Sequence, residues 1–193
     1  MKILITGFKP FNKETVNPSL ELLSYYNKES IKTLSLNVEY NLDAIKVIDT
    51  IKNNEYDFVL LLGQAGGRKV VTIESVALNV QNATIPDNSD NLVKHNKIIN
   101  DAPVAYQTKI DLVSLVSKVN SEFFDISYHA GTFVCNDLYY QVMHYISTNN
   151  LKSKCAFIHL PYLDTQVVDK PNIPSMKLEE MKDILDKVIK ALC

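Results

Sequence analysis

The run FVLLLG, residues 58–63, admits few kinds of fold. An extended chain puts successive side chains on opposite faces, so an unbroken apolar run needs cover on both faces. Strands of that kind belong to sheets sandwiched between helices, where the strands run mostly parallel. The run is also far short of the roughly 20 apolar residues that cross a bilayer.

The rest of the chain alternates in the same sense. KILITGF reads as a buried strand, and NPSLELLSYYN as a helix opened by Asn17 with Pro18 at its first position. IKTLSLNV is a second strand and LDAIKVIDTIKNN a second helix. VVTIESVALNV is β-branched enough for one strand but carries Glu74 within it, and TIPDNSDNLVKHNK is a polar, turn-rich loop. TKIDLVSLVSKVN returns to helical spacing and FFDISYHA to strand. A helix from Cys135, the strand CAFIHL and the amphipathic helix SMKLEEMKDILDKVIKAL complete the chain. This order predicts a single domain over residues 1–193, a three-layer α/β/α sandwich with a mostly parallel, twisted central sheet.

Composition excludes several function classes. Lys and Arg number 20 against 22 Asp and Glu, a formal net charge of -2, so no basic excess exists to neutralise phosphates or anionic membrane. Neither nucleic acid nor a membrane is an expected partner. MKILITGF has the look of a short strand rather than a secretory leader, and the expected address is the cytoplasm. Cys135, Cys155 and Cys193 are widely spaced with no CxxC among them, which suggests neither a disulfide framework nor a thiolate metal site. Cys155 and Cys193 are expected to be non-catalytic.

In a parallel sheet, sites gather beyond the carboxyl ends of the strands. Gly7 and Phe8 end the first strand, GQAGGR the third, and His159 closes CAFIHL, while Cys135 follows a strand and opens a helix. Strand ends pointing one way would bring Cys135 and His159 together. A helix start is expected to lower a thiol pKa and to offer free N–H groups to an oxyanion. A histidine can take the thiol proton and pass it to a leaving amine, and a carboxylate such as Glu74 can hold the imidazole. Each residue also has a plain reading: a buried thiol, a core histidine, and a glutamate paired with Arg68 or capping a turn.

The motifs TGFKPFNKETVNPS, GQAGGR, TIESVALN, ATIPDN, AGTFVCN, FIHLPYLDTQ and KPNIPSMKLE, in this order and nearly end to end, resemble the pyroglutamyl peptidase I family of cysteine peptidases. The resemblance implies hydrolysis of the amide after an N-terminal pyroglutamate through a thioacyl-enzyme, an α/β/α fold, a homotetramer, and no metal or organic cofactor. It places the catalytic residues at Glu74, Cys135 and His159. It places the ring pocket at Phe8, Phe11, Ile85, Phe133 and Val134, with Asn17 and Gln64 offering polar contacts.

Departures from the family pattern accompany it. Asn12 and Lys13 replace two glycines, and lysine tolerates positive φ poorly. Thr84 stands where the family carries an arginine beside the scissile carbonyl, and loss of one oxyanion donor costs about a hundredfold or more. TIES replaces TPER, Leu36 and Asn37 replace a pocket-facing proline-threonine pair, and Asp137, in the first helical turn, would raise the thiol pKa if close. Two readings follow: an active, divergent peptidase with Arg68, Lys9 or a water covering for the arginine, or a homologue that binds pyroglutamyl-like ligands with impaired or no catalysis.

Overall fold

The structure, a computed structural model, describes residues 1–26 and 28–192; Cys193 lies outside the described residues. The elements run β1 (Ile3–Phe8), α1 (Pro18–Leu23), β2 (Ile31–Leu36), α2 (Leu42–Lys52), β3 (Phe58–Gln64), β4 (Val71–Glu74), β5 (Val76–Leu78), β6 (Ala105–Gln107), α3 (Leu112–Val119), β7 (Phe124–Ser127), α4 (Val134–Thr148), β8 (Lys154–Leu160) and α5 (Leu178–Leu192).

The expected apolar run is β3, buried along its whole length between β1 and β8. The period of two sorts its side chains between layers. Leu60 and Leu62 pack with Ile3, Ile5, Ala156 and Ile158 beneath α1, α3 and α5. Val59 and Leu61 pack with Leu4, Cys155 and Phe157 against Ala44 and Val47 of α2 and Leu138 and Val142 of α4. This is the three-layer sandwich. Asn17 caps α1 as expected, its Oδ1 accepting from Ser19 N–H at 3.1 Å with Pro18 at the first position. The helix ends early because the Ser24 hydroxyl donates to Glu21 C=O, competing with the helical ladder.

The main sheet has the order β2-β1-β3-β8-β4-β7. The first four strands are mutually parallel; β4 is antiparallel to β8 and parallel to β7. VVTIESVALNV is therefore two strands. The chain bends at Ser75, whose N–H goes to Ser127 C=O while its C=O accepts from Thr108 N–H, and β5 leaves to form a ribbon with β6, a strand not expected from the sequence. The reversal changes how the site is assembled. β2, β1, β3 and β8 bring their carboxyl ends to one rim. Glu74 comes in along an antiparallel strand, and β7 runs away from the rim, so residues 128–133 must lead the chain back before Cys135.

Candidate active site

His159 is the penultimate residue of β8 and lies 4 % exposed. Thr72 is its direct partner on β4, and Glu74 pairs with Phe157 two residues away, so all of these side chains share the α4 face. From there Glu74 Oε1 meets His159 Nδ1 at 2.6 Å. The same oxygen takes Arg68 Nη1 at 2.9 Å, and Arg68 also touches the Thr72 hydroxyl. Glu74 is fully buried and its Oε2 has no hydrogen-bond partner among the described residues. A carboxylate so enclosed is tolerable because the imidazole and the guanidinium both converge on it.

Cys135 is the second residue of α4. Its helix has no side-chain cap, and the first backbone bond inside it is Asp137 N–H to Phe133 C=O. The N–H groups of Val134 and Cys135 thus have no acceptor within the helix. Asn136, fully buried, fixes this helix start: its Nδ2 donates to the carbonyls of Leu78 and Val80, and its Oδ1 accepts from Leu78 N–H. One turn on, the Tyr139 hydroxyl donates to the backbone C=O of Glu74 at 3.2 Å. Gly63 completes the fit. A Cβ there would lie 3.0 Å from Cys135 Sγ and 2.7 Å from the Phe157 ring, so the sulfur occupies space that only glycine leaves open.

Electrostatics correct the expectation that the helix start dominates. Burial pushes the Cys135 thiol up to about 12, and the Glu74 carboxylate pushes in the same direction; Arg68 and the cysteine's own N–H oppose them. Burial holds His159 below the ordinary imidazole range, with the Glu74 hydrogen bond opposing. The resting pair is therefore a neutral thiol and a neutral imidazole, with Nδ1–H given to Glu74 and Nε2 left unprotonated.

A cavity of about 130 Å³ opens beside Cys135 and His159. Of the residues the resemblance places at the ring pocket, Phe8, Phe11, Asn17, Gln64 and Phe133 line it. Phe11 and Phe133 face each other with ring centroids 6.0 Å apart and planes inclined by 35°. Asn17 Oδ1 is taken by Ser19 N–H and Oγ–H, and its Nδ2 donates to Lys9 C=O, so its main work is holding the wall. Gln64 Oε1 accepts from Gln166 Nε2 at 2.9 Å, which leaves the Gln64 Nε2 donor for a ligand. Two expected pocket residues lie elsewhere. Val134 is packed in the core, 1 % exposed, and Ile85 sits half-buried in a turn off the cavity wall.

Ala130, Gly131, Thr132 and Val38 line the cavity without having been anticipated. Val38 adopts φ +69°, a conformation β-branched residues rarely take. It is held there because the Asp43 carboxylate accepts from the N–H groups on either side, Asn37 and Glu39, each at 2.8 Å. No composition signal marks such a residue; the Asp43 that clamps it reads simply as an acid at a helix start.

The departures resolve as follows. Asn12 and Lys13 both keep positive φ, 50° and 66°, so the loop retains the backbone that glycines would favour, at a cost of about 1–2 kcal/mol per residue. Leu36 is core and Asn37 bonds to Glu39, so neither faces the cavity; Val38 does. Thr84 is exposed. Arg68 is bound to Glu74 and Lys9 is exposed, and neither lines the cavity. Asp137 does not bear on the thiol. It is buried, accepting from Asn41 N–H, Gln81 and Gln141, and it ties α2 and the loop after β5 to α4.

A thiol at a helix start, an imidazole within the same cavity and a carboxylate fixing that imidazole, set on an α/β/α sandwich, define a cysteine-hydrolase type of site. The pyroglutamyl peptidase family profile matches residues 1–193, and the chain belongs to that family. It is 38 % identical to the pyrrolidone-carboxylate peptidase of Brachyspira hyodysenteriae, covering 98 % of each chain. It is 40 % identical to that of a Thermoanaerobacter species, over 100 % of this chain and 98 % of the relative. Its fold matches the crystal structure of Bacillus amyloliquefaciens pyroglutamyl peptidase I with a TM-score of 0.93 and 35 % identity, over 99 % and 96 % of the two chains. A mutant pyrrolidone carboxyl peptidase from Pyrococcus furiosus gives 0.91 and 27 %, over 100 % and 98 %.

Proposed function

We propose that this protein is a cysteine exopeptidase that removes N-terminal pyroglutamate from peptides, with Cys135 as nucleophile, His159 as base and acid, and Glu74 as the group that orients His159. The observation that carries the reading is the 2.6 Å Glu74–His159 bond beneath a cavity that both His159 and Cys135 line.

The compact lactam ring enters between Phe8, Phe11 and Phe133, whose faces bury its methylenes, and the Gln64 Nε2 donor meets a ring carbonyl. His159 Nε2 takes the thiol proton as Sγ bonds to the scissile carbonyl carbon. Because the thiol is raised by burial, proton transfer accompanies attack rather than preceding it. The N–H groups at the start of α4 receive the oxyanion. Collapse breaks the C–N bond, and His159 returns the proton to the departing amine. Water, deprotonated by the same nitrogen, then cleaves the thioester to free pyroglutamate and the thiol. No step calls for a cofactor.

Hydrolysis of pyroglutamyl-7-amido-4-methylcoumarin by wild type, abolished by Cys135→Ser, is the expected result. Thr84→Arg is expected to raise kcat by restoring a cationic oxyanion donor. Silence in all three proteins would refute the assignment in favour of a binding homologue.

The expected homotetramer rests on the family resemblance, and sedimentation of the 21.8 kDa chain would test it. A reduced thiol nucleophile suits the cytoplasm, testable by cell fractionation.

A further inference from the structure

A second depression lies across the site from the ring cavity. It is an open groove of about 500 Å³ walled by Arg68, Lys69, Thr72, Ser127, Tyr128 and His129. The sheet order fixes its relation to the chemistry. The ring cavity draws on β1 and β3 through Phe8 and Gln64; His159 stands on β8; the groove draws on β4 and the end of β7. The catalytic histidine thus separates the two, and the Arg68–Glu74–His159 contacts join the groove wall to the cavity wall. Residues 128–133 border both, with Tyr128 and His129 on the groove and Ala130 to Phe133 on the cavity.

We propose that this groove receives the peptide on the leaving side of the scissile amide and selects chains with a carboxylate at the second or third residue after the pyroglutamate. The inference rests on the peptidase reading above and adds a substrate class to it. With the ring held on the β1–β3 side of Cys135, the amine side of the amide must point towards β4 and β7. Neighbouring strands lie roughly 5 Å apart and an extended peptide advances about 3.4 Å per residue. The first leaving residue then sits over His159 and Thr72, and the second and third cross the groove.

The groove's charge is one-sided. Of the residues that line it, Arg68 and Lys69 carry positive charge and none is a carboxylate, since Glu74 is buried beneath Arg68. Lys69 is exposed and makes no ion pair among the described residues. Tyr128 is 77 % exposed, a flat surface for a peptide backbone to lie on.

The test compares kcat/KM for pyroglutamyl-Ala-Glu-Ala-amide, pyroglutamyl-Ala-Ala-Ala-amide and the Lys analogue of the first, in wild type and in Lys69→Glu and His129→Asp. Wild type is expected to favour the Glu peptide over the Lys peptide by roughly three- to tenfold, the scale of a few solvent-exposed charge pairs. That preference should shrink at high salt and should fall or reverse in the variants. Each ratio is taken within one protein, so a general loss of activity cancels. Equal turnover of the three peptides in wild type, or a preference that both variants leave intact, overturns the groove assignment alone. Wild type that cleaves none of them overturns the peptidase reading and this inference with it.

Discussion

Gly63→Ala puts one methyl group between both working parts of the site. The new Cβ would lie 2.7 Å from the Phe157 ring and 3.0 Å from Cys135 Sγ, against the 3.5–4.0 Å or so at which carbon atoms pack without repulsion. The sulfur must retreat by a few tenths of an ångström, and the ring must move as well. Phe157 in turn packs against His159, with ring centroids 4.7 Å apart, so displacement of the ring presses on the imidazole. Overpacking of this kind costs about 1–3 kcal/mol, which for a chain of this size lowers Tm by roughly 2–12 °C. A misplacement of about 1 Å at reacting atoms costs on the order of a hundredfold. With Cys135 and His159, the proposed nucleophile and base, each moved by less than that, kcat/KM should fall by about ten- to a hundredfold. The assay is turnover of the coumarin substrate beside a thermal melt. A variant that melts lower yet keeps kcat/KM within about threefold of wild type would show that the pressure is relieved away from the site, and would refute the argument.

Other perturbations follow from the same geometry. Arg68→Met removes the cation from Glu74, and because Arg68 lowers both groups, His159 and the Cys135 thiol should each rise. The acid limb of the kcat/KM–pH profile should move to higher pH and the rate fall by roughly tenfold, a fraction of what positioned proton transfer supplies; an unmoved limb would contradict this. Asp43→Ala frees Val38 and leaves two N–H groups unpaired, so a urea melt should show a loss of roughly 3 kcal/mol and KM should rise more than kcat falls. In wild type the acid limb should have its midpoint below 6.5, the ordinary imidazole value, because burial disfavours the cation. The sign for stability agrees: the unfolded chain binds the proton more readily, so the contribution of neutral His159 is full above about 6.5 and is lost as pH falls through the folded value. A titration showing no such loss below pH 6.5 would place the charge of His159 elsewhere.

Much of the layer structure is legible because burial leaves a periodic trace. FVLLLG must be covered on both faces, and it is; Asn17-Pro18 must open a helix, and it does. Cys135 at a helix start and His159 at a strand end are equally visible, since strand and helix differ in period on either side of them. What the sequence leaves open are quantities with no period. The direction of β4 is one, because alternation reads the same in both directions. Val38 in the left-handed region is another, held by the distant consequence of where Asp43 points. The thiol is a third: a helix start argues for a lower pKa, but the structure adds enclosure and a neighbouring carboxylate, and these outweigh it.

The direction of β4 also explains how Glu74 works from the middle of a sheet. In an antiparallel pair, residues directly opposite share a face, and diagonal neighbours two positions apart lie about 7–8 Å from each other. Thr72 stands opposite His159 and Glu74 opposite Phe157. Glu74 is therefore a diagonal neighbour of His159, one extended carboxylate away, with Phe157 directly across from it. Thr72, directly across from His159, lies beneath Arg68, which reaches Glu74 from the groove side. A glutamate in an apolar strand is costly at most registers. At this one, imidazole and guanidinium approach the same oxygen from different directions, so the residue that looks misplaced in the sequence sits at a crossing where it has two partners.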